Sequence, residues 1–344
     1  MNTRLYKIIL FMTGLITLGV MVHSIGYHSI VDNIQRMGYW FIPVIGSWLV
    51  IYWLNAYAFE AIIHEPHLPE TKLPFNTVLK LTISGYAINY ITPFVSLGGE
   101  PYRVMELEKK VGLKKATSSV LLYGLMHMFS HVLFWLASVI LIVAFVPMSQ
   151  MIITGSLLLL VIGSILIYWF VKVYKKGLTI SSIKQLAKVP FLKKKMTTLL
   201  ADKYDFLEGI DEQIRNLYAT RKTVFYKSLF YEFVARIIGC AEIYFTAIAI
   251  GLDMSVIQAL IASSASSLFA NLIFFFPMQL GTREGGLALA LKSIGFAGTH
   301  GIFIGVITRI REIVWIIIGL ALMDKGQKSA QQLETNEGSP AAIN

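Results

Sequence analysis

Residues 93–103 have the sequence Pro-Phe-Val-Ser-Leu-Gly-Gly-Glu-Pro-Tyr-Arg, and residues 277–286 have the sequence Pro-Met-Gln-Leu-Gly-Thr-Arg-Glu-Gly-Gly. These two motifs interrupt apolar sequence with a proline, glycines and a glutamate that follows the proline by seven positions. One offset superposes them, because positions 93 and 100 recur at 277 and 284. Polar, non-helical backbone is tolerated at membrane depth only where protein buries it or water reaches it. The two motifs are therefore the natural place to look for function.

The composition indicates the environment of the chain. Its 344 residues are 56% hydrophobic and 15% charged, and the mean hydropathy is +0.65. Soluble domains carry about 25% charged residues, so we predict an integral membrane protein. The net charge of +10 does not indicate nucleic acid, because the basic residues concentrate beside apolar segments, where they set topology and contact anionic headgroups. The single cysteine, Cys240, excludes an intramolecular disulfide.

The apolar segments divide the chain into two membrane halves. We predict spans at 5–25, 40–63, 116–146 and 150–172 in the first half (1–172), and at 223–250 and 300–323 in the second half (223–324). Two further apolar stretches, 76–99 and 256–297, contain the motifs. Residues 173–222 are predicted to form a basic cytoplasmic loop with an amphipathic helix over 197–220, and residues 325–344 a disordered cytoplasmic tail.

The distribution of basic residues predicts from which side of the membrane each motif stretch enters. From 172 to 222 there are 12 Lys and Arg against five Asp and Glu, and from 100 to 115 five against three, so both segments should be cytoplasmic. A complete crossing at 76–99 would place both outside, whereas a re-entrant hairpin keeps both inside. The stretch 256–297 then begins and ends outside, so it enters from the opposite face.

The predicted fold class is therefore an all-α polytopic membrane protein. It has six full transmembrane helices and two oppositely oriented re-entrant helical hairpins, arranged as an inverted repeat with both termini in the cytoplasm. In many transporters this arrangement places discontinuous helices at the membrane midplane.

The last span carries three charged residues, Arg309, Arg311 and Glu312. A charged side chain at a helix centre costs about 2.5–3.5 kcal/mol on insertion scales, so it usually has a partner and a purpose. Arg309 and Glu312 share a helix face, while Arg311 points elsewhere. Two interpretations remain open: a self-compensating pair that fixes packing, or a cationic site for a phosphate-bearing substrate, which arginine binds bidentately.

Each motif combines free backbone N–H groups with charged side chains, which together could bind an anion. Gly98 and Gly99 precede a glutamate that can begin a helix, and free N–H groups at such helix starts attract anions. In the second motif, Arg283 and Glu284 follow Gly281. The alternative interpretation is a pair of hairpin turns whose charges lie in water.

Other polar residues give weaker signals. Glu232 and Arg236 are spaced to form an ion pair within one helix. His127 and His131 share a helix face, but no carboxylate or thiol accompanies them in sequence, so we predict packing or an interhelical hydrogen bond. No motif for a nucleophile, a metal or a cofactor is present, and we predict none.

The motifs resemble those of a known family. Residues 98–103 resemble its GGEP signature ending in arginine, residues 277–286 are similar to its P-x-x-x-G-x-R-E-G signature, and residues 206–210 are similar to its cytoplasmic-helix motif. Arg309 falls where the family has an arginine in the last span. The family is the lysylphosphatidylglycerol synthase transmembrane, flippase-like family, which includes the flippase part of the multiple peptide resistance factor.

This resemblance implies substrate-binding roles for residues of both motifs and of the last span. They are Gly98, Gly99, Glu100, Arg103, Gly281, Arg283, Glu284 and Arg309, and Glu312 is added as the neighbour of Arg309 on the same helix face. The main hypothesis is a multi-pass lipid translocator of a bacterial or archaeal inner membrane. It would move a phospholipid or another anionic-headgroup lipid, with Arg103, Arg283 and Arg309 on the phosphate and Glu100 and Glu284 either balancing charge or contacting a cationic group.

Two alternatives from other classes stay open. The first is an intramembrane enzyme acting on lipid-linked substrates with a carboxylate as general base, although no motif identifies a nucleophile or a metal and we expect no enzyme. Because the chain ends about 20 residues after its last span, we also expect the family's aminoacyl-transferase domain and synthase activity to be absent. The second is an assembly subunit that recruits a separate lipid-modifying enzyme through the basic loop. Turnover of labelled lipid and co-purification would separate them, and a second copy of the chain is a further candidate partner.

Overall fold

The computed structural model describes residues 12, 16, 19–23, 25–92, 98–272 and 282–337, and it describes no side chains at 151, 272, 282 and 324–337. The described residues contain no β-strand. Their α-helices are α1 (Tyr27–Met37), α2 (Phe41–Ile63), α3 (Phe75–Ile91), α4 (Gly99–Val111), α5 (Leu113–Phe145), α6 (Gln150–Lys176), α7 (Thr179–Leu186), α8 (Lys193–Asp202), α9 (Tyr204–Ala219), α10 (Lys222–Ile238), α11 (Cys240–Ala249), α12 (Val256–Leu272), α13 (Thr282–Ser293) and α14 (Gly298–Glu337).

Several of these helices have the length and composition of membrane spans. Three stretches of the described chain qualify, Tyr27–Ile63, Leu113–Phe145 and Ile152–Lys176, and Val256–Asn271 is a shorter apolar helix. The helical content and these spans confirm the predicted fold class, an all-α polytopic membrane protein. The predicted first span, 5–25, lies mostly outside the described residues.

Two helix boundaries differ from the sequence prediction. The predicted span 223–250 is divided into α10 and α11 at Gly239, a residue that weakens a helix interior. The tail predicted to be disordered from 325 instead continues α14 as far as Glu337. Extending an existing helix adds hydrogen bonds without a new nucleation step, and the Lys, Gln, Ala and Glu residues of this stretch favour helix.

The helices on either side of the two motifs repeat at the offset seen in the sequence. Adding 184 to the bounds of α3 and α4 reproduces the bounds of α12 and α13 to within three residues. The motif centres, 93–97 and 273–281, lie outside the described residues, so neither hairpin tip is described.

Equivalent helices of the two halves pack antiparallel. Trp48 Nε1 in the first half of α2 donates to Glu242 Oε2 on α11 (2.9 Å), whereas the Ala58 carbonyl oxygen near the end of α2 accepts from Ser228 Oγ on α10 (3.2 Å). Residue numbers therefore rise along α2 as they fall along its partner. An antiparallel contact between equivalent helices is what a two-fold axis perpendicular to them produces, as an inverted repeat requires.

A second pair of hydrogen bonds joins the two halves at positions related by the same offset. Ser84 Oγ on α3 donates to the Gly319 carbonyl oxygen on α14 (3.0 Å). Shifting these positions by 184 gives 268 and 135, and Trp135 Nε1 on α5 donates to Ser267 Oγ on α12 (3.0 Å). The packing thus favours the predicted inverted repeat, while the placement of the hairpins in a bilayer stays a prediction.

The basic loop packs on protein rather than lying apart from it. The amphipathic segment predicted over 197–220 forms two helices, α8 and α9, separated at Lys203. Ile210, Ile214 and Leu217 of α9 are buried in the same core cluster as α5 and α6. Its apolar face therefore covers the ends of neighbouring helices.

Asp211 on α9 fixes the turn that enters the loop. The buried carboxylate accepts backbone N–H groups of Leu178 and Thr179 at Oδ1 (2.8 and 2.7 Å) and of Ile180 at Oδ2 (3.1 Å). It therefore binds the N-terminal N–H groups of α7, which the helix itself cannot satisfy.

Replacing Asp211 with alanine should loosen residues 173–222 from the membrane domain. Each charge-assisted hydrogen bond contributes roughly 1.5–3 kcal/mol, and three buried N–H groups lose their acceptor. We expect limited proteolysis within the loop at least tenfold faster than in the wild type. The control is Asp202→Ala, at an exposed carboxylate of α8, which should leave the cleavage rate unchanged. Equal rates for the two variants would contradict the role of Asp211.

Candidate functional site

The second motif and the last span form a buried group of opposite charges, here called the arginine–glutamate cluster. It consists of Arg283 and Glu284 at the start of α13 and Arg309 and Glu312 on α14. Arg309 donates from Nε to Glu284 Oε1 (2.8 Å) and from Nη1 to Glu312 Oε2 (3.1 Å). Arg283 Nη1 pairs with the other oxygen of Glu312. Glu312 is thus the carboxylate that both arginines share.

Small residues let the two helices approach closely enough to form the cluster. A β-carbon at Gly301 would overlap the backbone of Ala288 on α13, and one at Gly305 would overlap the side chain of Glu284. Glycines spaced by four residues commonly permit such close helix contacts in membranes. The sequence of α14 therefore brings the Arg309 face onto the beginning of α13.

Burial distinguishes an inner and an outer side of the cluster. The side chains of Arg309 and Glu312 are 6% and 2% exposed, whereas those of Arg283 and Glu284 are 18% and 17% exposed. Two positive and two negative charges balance, which lowers the cost of placing them among apolar helices. The arrangement can exchange one anionic partner for another on its outer side without leaving an arginine uncompensated.

Arg311 faces another side of α14, as predicted, and has a different partner. Its Nε and Nη2 atoms contact the two oxygens of Glu242 on α11 (2.9 and 3.1 Å), and its guanidinium lies 3.6 Å from the centroid of the Trp48 ring. Trp48 Nε1 also donates to Glu242, so Trp48 contacts both members of the Arg311–Glu242 ion pair. Glu242 was missed in the sequence analysis. The signal was a second carboxylate in the apolar run 223–250, which has no basic residue three or four positions away to pair with it.

The described residues of the first motif form hydrogen bonds with one another and with Asn89 of α3. The Gly99 N–H donates to Asn89 Oδ1 (2.7 Å), and Glu100 Oε1 accepts from Asn89 Nδ2 and Arg103 Nη1 (both 3.2 Å). A β-carbon at Gly99 would overlap the Gly85 carbonyl oxygen, so the sharp approach of α4 to α3 requires glycine. The helix start suggested as an anion site therefore already has Asn89 as its acceptor.

Arg103 of the first motif contacts a second polar group, which is centred on His127. It is 2% exposed and lies over the rings of Tyr86 and Tyr123 (4.8 and 5.4 Å to the centroids). Tyr86 Oη contacts Tyr123 Oη (2.9 Å) and His127 Nδ1 (3.0 Å). His127 Nδ1 in turn lies 2.8 Å from Glu232 Oε2 on α10.

Arg236 completes this second group, here called the histidine network. The residues of the histidine network are Tyr86, Tyr123, His127, Glu232 and Arg236. Arg236 Nη2 donates to Glu232 Oε2 (2.8 Å), which is the ion pair predicted from their spacing. His127 makes the predicted interhelical hydrogen bond. Among the described residues, no group of three or more His, Cys, Asp or Glu side chains has the arrangement of a metal site.

A row of aromatic rings extends from Tyr86 of the histidine network to Trp48, the ring that Arg311 contacts. Tyr52 packs against Tyr86 on one side (5.4 Å between centroids) and against Trp315 and Trp48 on the other (4.8 and 5.8 Å). The predicted site residues thus fall into two sets. Arg283, Glu284, Arg309 and Glu312 come together. Gly98, Gly99, Glu100 and Arg103 instead contact one another and residues of α3. Gly281 lies outside the described residues.

The fold and the two buried polar groups define a class of protein: a helical membrane protein that carries balanced charge between its spans. Comparison with family models makes this specific. Residues 5–320 match the model of the lysylphosphatidylglycerol synthase TM region, and the chain belongs to this family. No curated protein and no solved structure gives a significant match. Family membership connects the chain with membrane lipids.

Proposed function

We propose that this protein moves a phospholipid or another anionic-headgroup lipid between the two leaflets of a membrane. The observation that carries the proposal is the arginine–glutamate cluster, which holds Arg283 at the start of α13 beside Arg309 of α14 and has a partly exposed outer side. Arginine in such a place suits a lipid phosphate, because its planar fork binds two oxygens at once and stays charged.

The geometry suggests an exchange of anions. Without lipid, Glu284 and Glu312 neutralise Arg283 and Arg309. When a headgroup enters, its phosphate takes the place of Glu284, the more exposed carboxylate, on the guanidinium of Arg309. Glu312 stays as the inner counter-charge. The headgroup then meets compensating charge during its passage, whereas an isolated ion would face the full cost of apolar surroundings.

An apolar groove between α5 and α10 offers a complementary surface for acyl chains. Its lining residues are Leu133, Ala137, Tyr226, Leu229, Phe230 and Phe233. Acyl chains in such a groove can stay in apolar surroundings while the headgroup crosses between the helices.

Replacing Arg283 or Arg309 with alanine should reduce lipid movement at least tenfold. Truncating one partner of a buried, hydrogen-bonded charge pair typically costs about 2–5 kcal/mol in binding. A loss at the lower end of this range already exceeds the free energy that corresponds to a factor of ten in affinity. The measurement is the transfer of fluorescent phosphatidylglycerol between leaflets of proteoliposomes, followed by quenching of the outer leaflet.

The matched control is Lys292→Ala, which removes an exposed cation from the same helix as Arg283. It should move lipid at the wild-type rate. Gel filtration and thermal unfolding establish that each variant is folded. Wild-type rates in folded Arg283→Ala and Arg309→Ala proteins would overturn the assignment of the cluster, and a wild-type protein that moves no lipid would overturn the proposed function.

A further inference from the structure

The histidine network contains a titratable group in a setting that the proposed headgroup site does not use. His127 lies between a carboxylate and a guanidinium, with Glu232 Oε2 at 2.8 Å and Arg236 Nη2 at 2.7 Å from Nδ1 and at 3.2 Å from Nε2. The Glu232 side chain is fully buried, and that of Arg236 is 14% exposed. Ionisable groups within membrane segments commonly mark ion and proton pathways.

Polar atoms around His127 lack hydrogen-bond partners within the described part of the chain. They are Glu232 Oε1, Arg236 Nε and Asn55 Oδ1, and the Asn55 amide donates to Tyr86 Oη (3.1 Å) beside the imidazole. An unsatisfied buried polar atom costs about 1–3 kcal/mol, so native proteins rarely keep several together without water or a ligand. Spare donors and acceptors on both sides of an imidazole suit a site that gains and loses a proton.

The partner pattern changes when the imidazole is charged. When Nδ1–H donates to Glu232 Oε2, neutral His127 has its acceptor at Nε2, 3.2 Å from Arg236 Nη2, so Arg236 must shift from its position 2.7 Å from Nδ1 to donate there. After a proton from water binds Nε2, both ring nitrogens are donors. Arg236 can then no longer donate to the ring, and Glu232 Oε1 is the nearby acceptor still without a partner among the described residues. Protonation therefore changes the contact between α5 and α10.

Polar and aromatic side chains continue along one face of α5 on both sides of His127. Tyr123, His127, His131, Trp135 and Ser138 follow one another on one face of the helix. The rings of His127 and His131 are 5.2 Å apart, His131 Nδ1 lies 3.3 Å from Ser267 Oγ, and Ser264 Oγ donates to Ser138 Oγ (2.6 Å). At about 1.5 Å per residue this row of side chains is roughly 22 Å long, against a hydrocarbon core of about 30 Å.

The internal repeat places His127 and Arg311 at equivalent positions of the two halves. Adding 184 to the position of His127 gives Arg311, whose guanidinium lies over Trp48. The same shift applied to the position of Trp48 gives Glu232, the partner of His127. Equivalent places thus hold a permanent cation in one half and a titratable group in the other. The charge of the second half is fixed, whereas that of the first half can change with the proton.

We propose that His127, held by Glu232 and Arg236, is a proton-binding site that couples lipid movement to a pH gradient. The inference rests on the proposed function and adds a driving ion to it. The charged and titratable groups that face His127 are Tyr86 on α3, Arg103 on α4, Tyr123 and His131 on α5, and Glu232 and Arg236 on α10. The charges of Glu232 and Arg236 cancel, so a proton on His127 changes the net charge of this site by one.

The test uses the wild-type protein in proteoliposomes that contain fluorescent phosphatidylglycerol, with the membrane potential clamped at zero by potassium and valinomycin. With one proton moved per lipid, a gradient of one pH unit should enrich the lipid in one leaflet by up to about tenfold at steady state. In His127→Gln the enrichment should fall to about one. Glu232→Gln should lose it as well, because the carboxylate that stabilises the charged imidazole is gone.

The control is His67→Gln, which alters an exposed histidine between α2 and α3 and should keep the wild-type enrichment. Wild-type protein that moves lipid but leaves it evenly distributed under the gradient overturns the inference and leaves the proposed function intact. Wild-type enrichment in folded His127→Gln protein also overturns it. A wild-type protein that moves no lipid under any condition overturns both proposals. Should neither variant fold, the wild-type distribution alone decides whether movement is coupled to protons.

Discussion

Replacing Arg311 with methionine should lower the free energy of unfolding by about 3–5 kcal/mol, the usual cost of removing one partner of a buried ion pair. Arg311 is fully buried and contacts both oxygens of Glu242, which lies 6% exposed on α11. Without the guanidinium, Glu242 keeps its contact with Trp48 but becomes a buried charge with no described cation beside it. Methionine fills much of the same space, so the loss reports charge rather than a cavity.

A double variant separates the charge effect from packing. Adding Glu242→Gln to Arg311→Met removes the stranded charge and leaves an amide oxygen to accept from Trp48 Nε1. Since buried ion pairs can often be replaced by neutral groups at little cost, the double variant should regain most of the lost stability. Unfolding in detergent, followed by the tryptophan fluorescence or circular dichroism, gives the comparison. A double variant as unstable as Arg311→Met would show that packing, not charge, dominates at this site.

Replacing Glu312 with alanine should destabilise the protein at least as strongly, by about 3–5 kcal/mol or more. Its two oxygens pair with Arg283 and Arg309, and Arg311 Nη2 lies 3.9 Å from Oε1. Removing this carboxylate leaves three arginines sharing one fewer negative charge in a place where water cannot screen them. The shortened side chain also leaves a cavity, which adds to the loss.

Graded controls distinguish this central role from a general sensitivity to mutation. Glu312→Gln should lose less than the alanine variant, because the amide keeps the shape and one acceptor. Glu284→Ala should also lose less, since Glu284 is partly exposed and Arg309 retains Glu312. Glu108→Ala, at an exposed position of α4, should leave stability unchanged. Equal losses for Glu284→Ala and Glu312→Ala would contradict the central position of Glu312.

Much of the fold followed from patterns that the chain itself carries. The composition, the lengths of the apolar segments and the constant offset between the motifs predicted a helical membrane protein with two similar halves, and the helices flanking the motifs recur at that offset. These features are local or periodic, so they can be recognised without knowing which helices touch. Two helix boundaries could not be predicted in this way: the break of the 223–250 segment at Gly239 and the continuation of α14 to Glu337. Helix propensities differ by less than about 1 kcal/mol for most residues, so the hydrophobic pattern does not determine where a helix ends.

The candidate site was predictable only in part, for a physical reason. Arg309 and Glu312 could be paired from their spacing on one helix, and so could Glu232 and Arg236, because neighbours on a helix face are fixed by helix geometry. Which carboxylate would neutralise Arg311 depended on the packing of α11 against α14, and Glu242 is far from it in sequence. The same holds for His127, whose partners come from α3 and α10.

The sequence by itself determined that costly charges and two helix breaks lie within apolar segments. The tertiary structure alone decided how those charges are distributed. Arg283, Glu284, Arg309 and Glu312 meet in one cluster, while Arg103 and His127 both contact Tyr86. The reason is that the cost of a buried charge is set by its neighbours in space, and long-range helix packing supplies them.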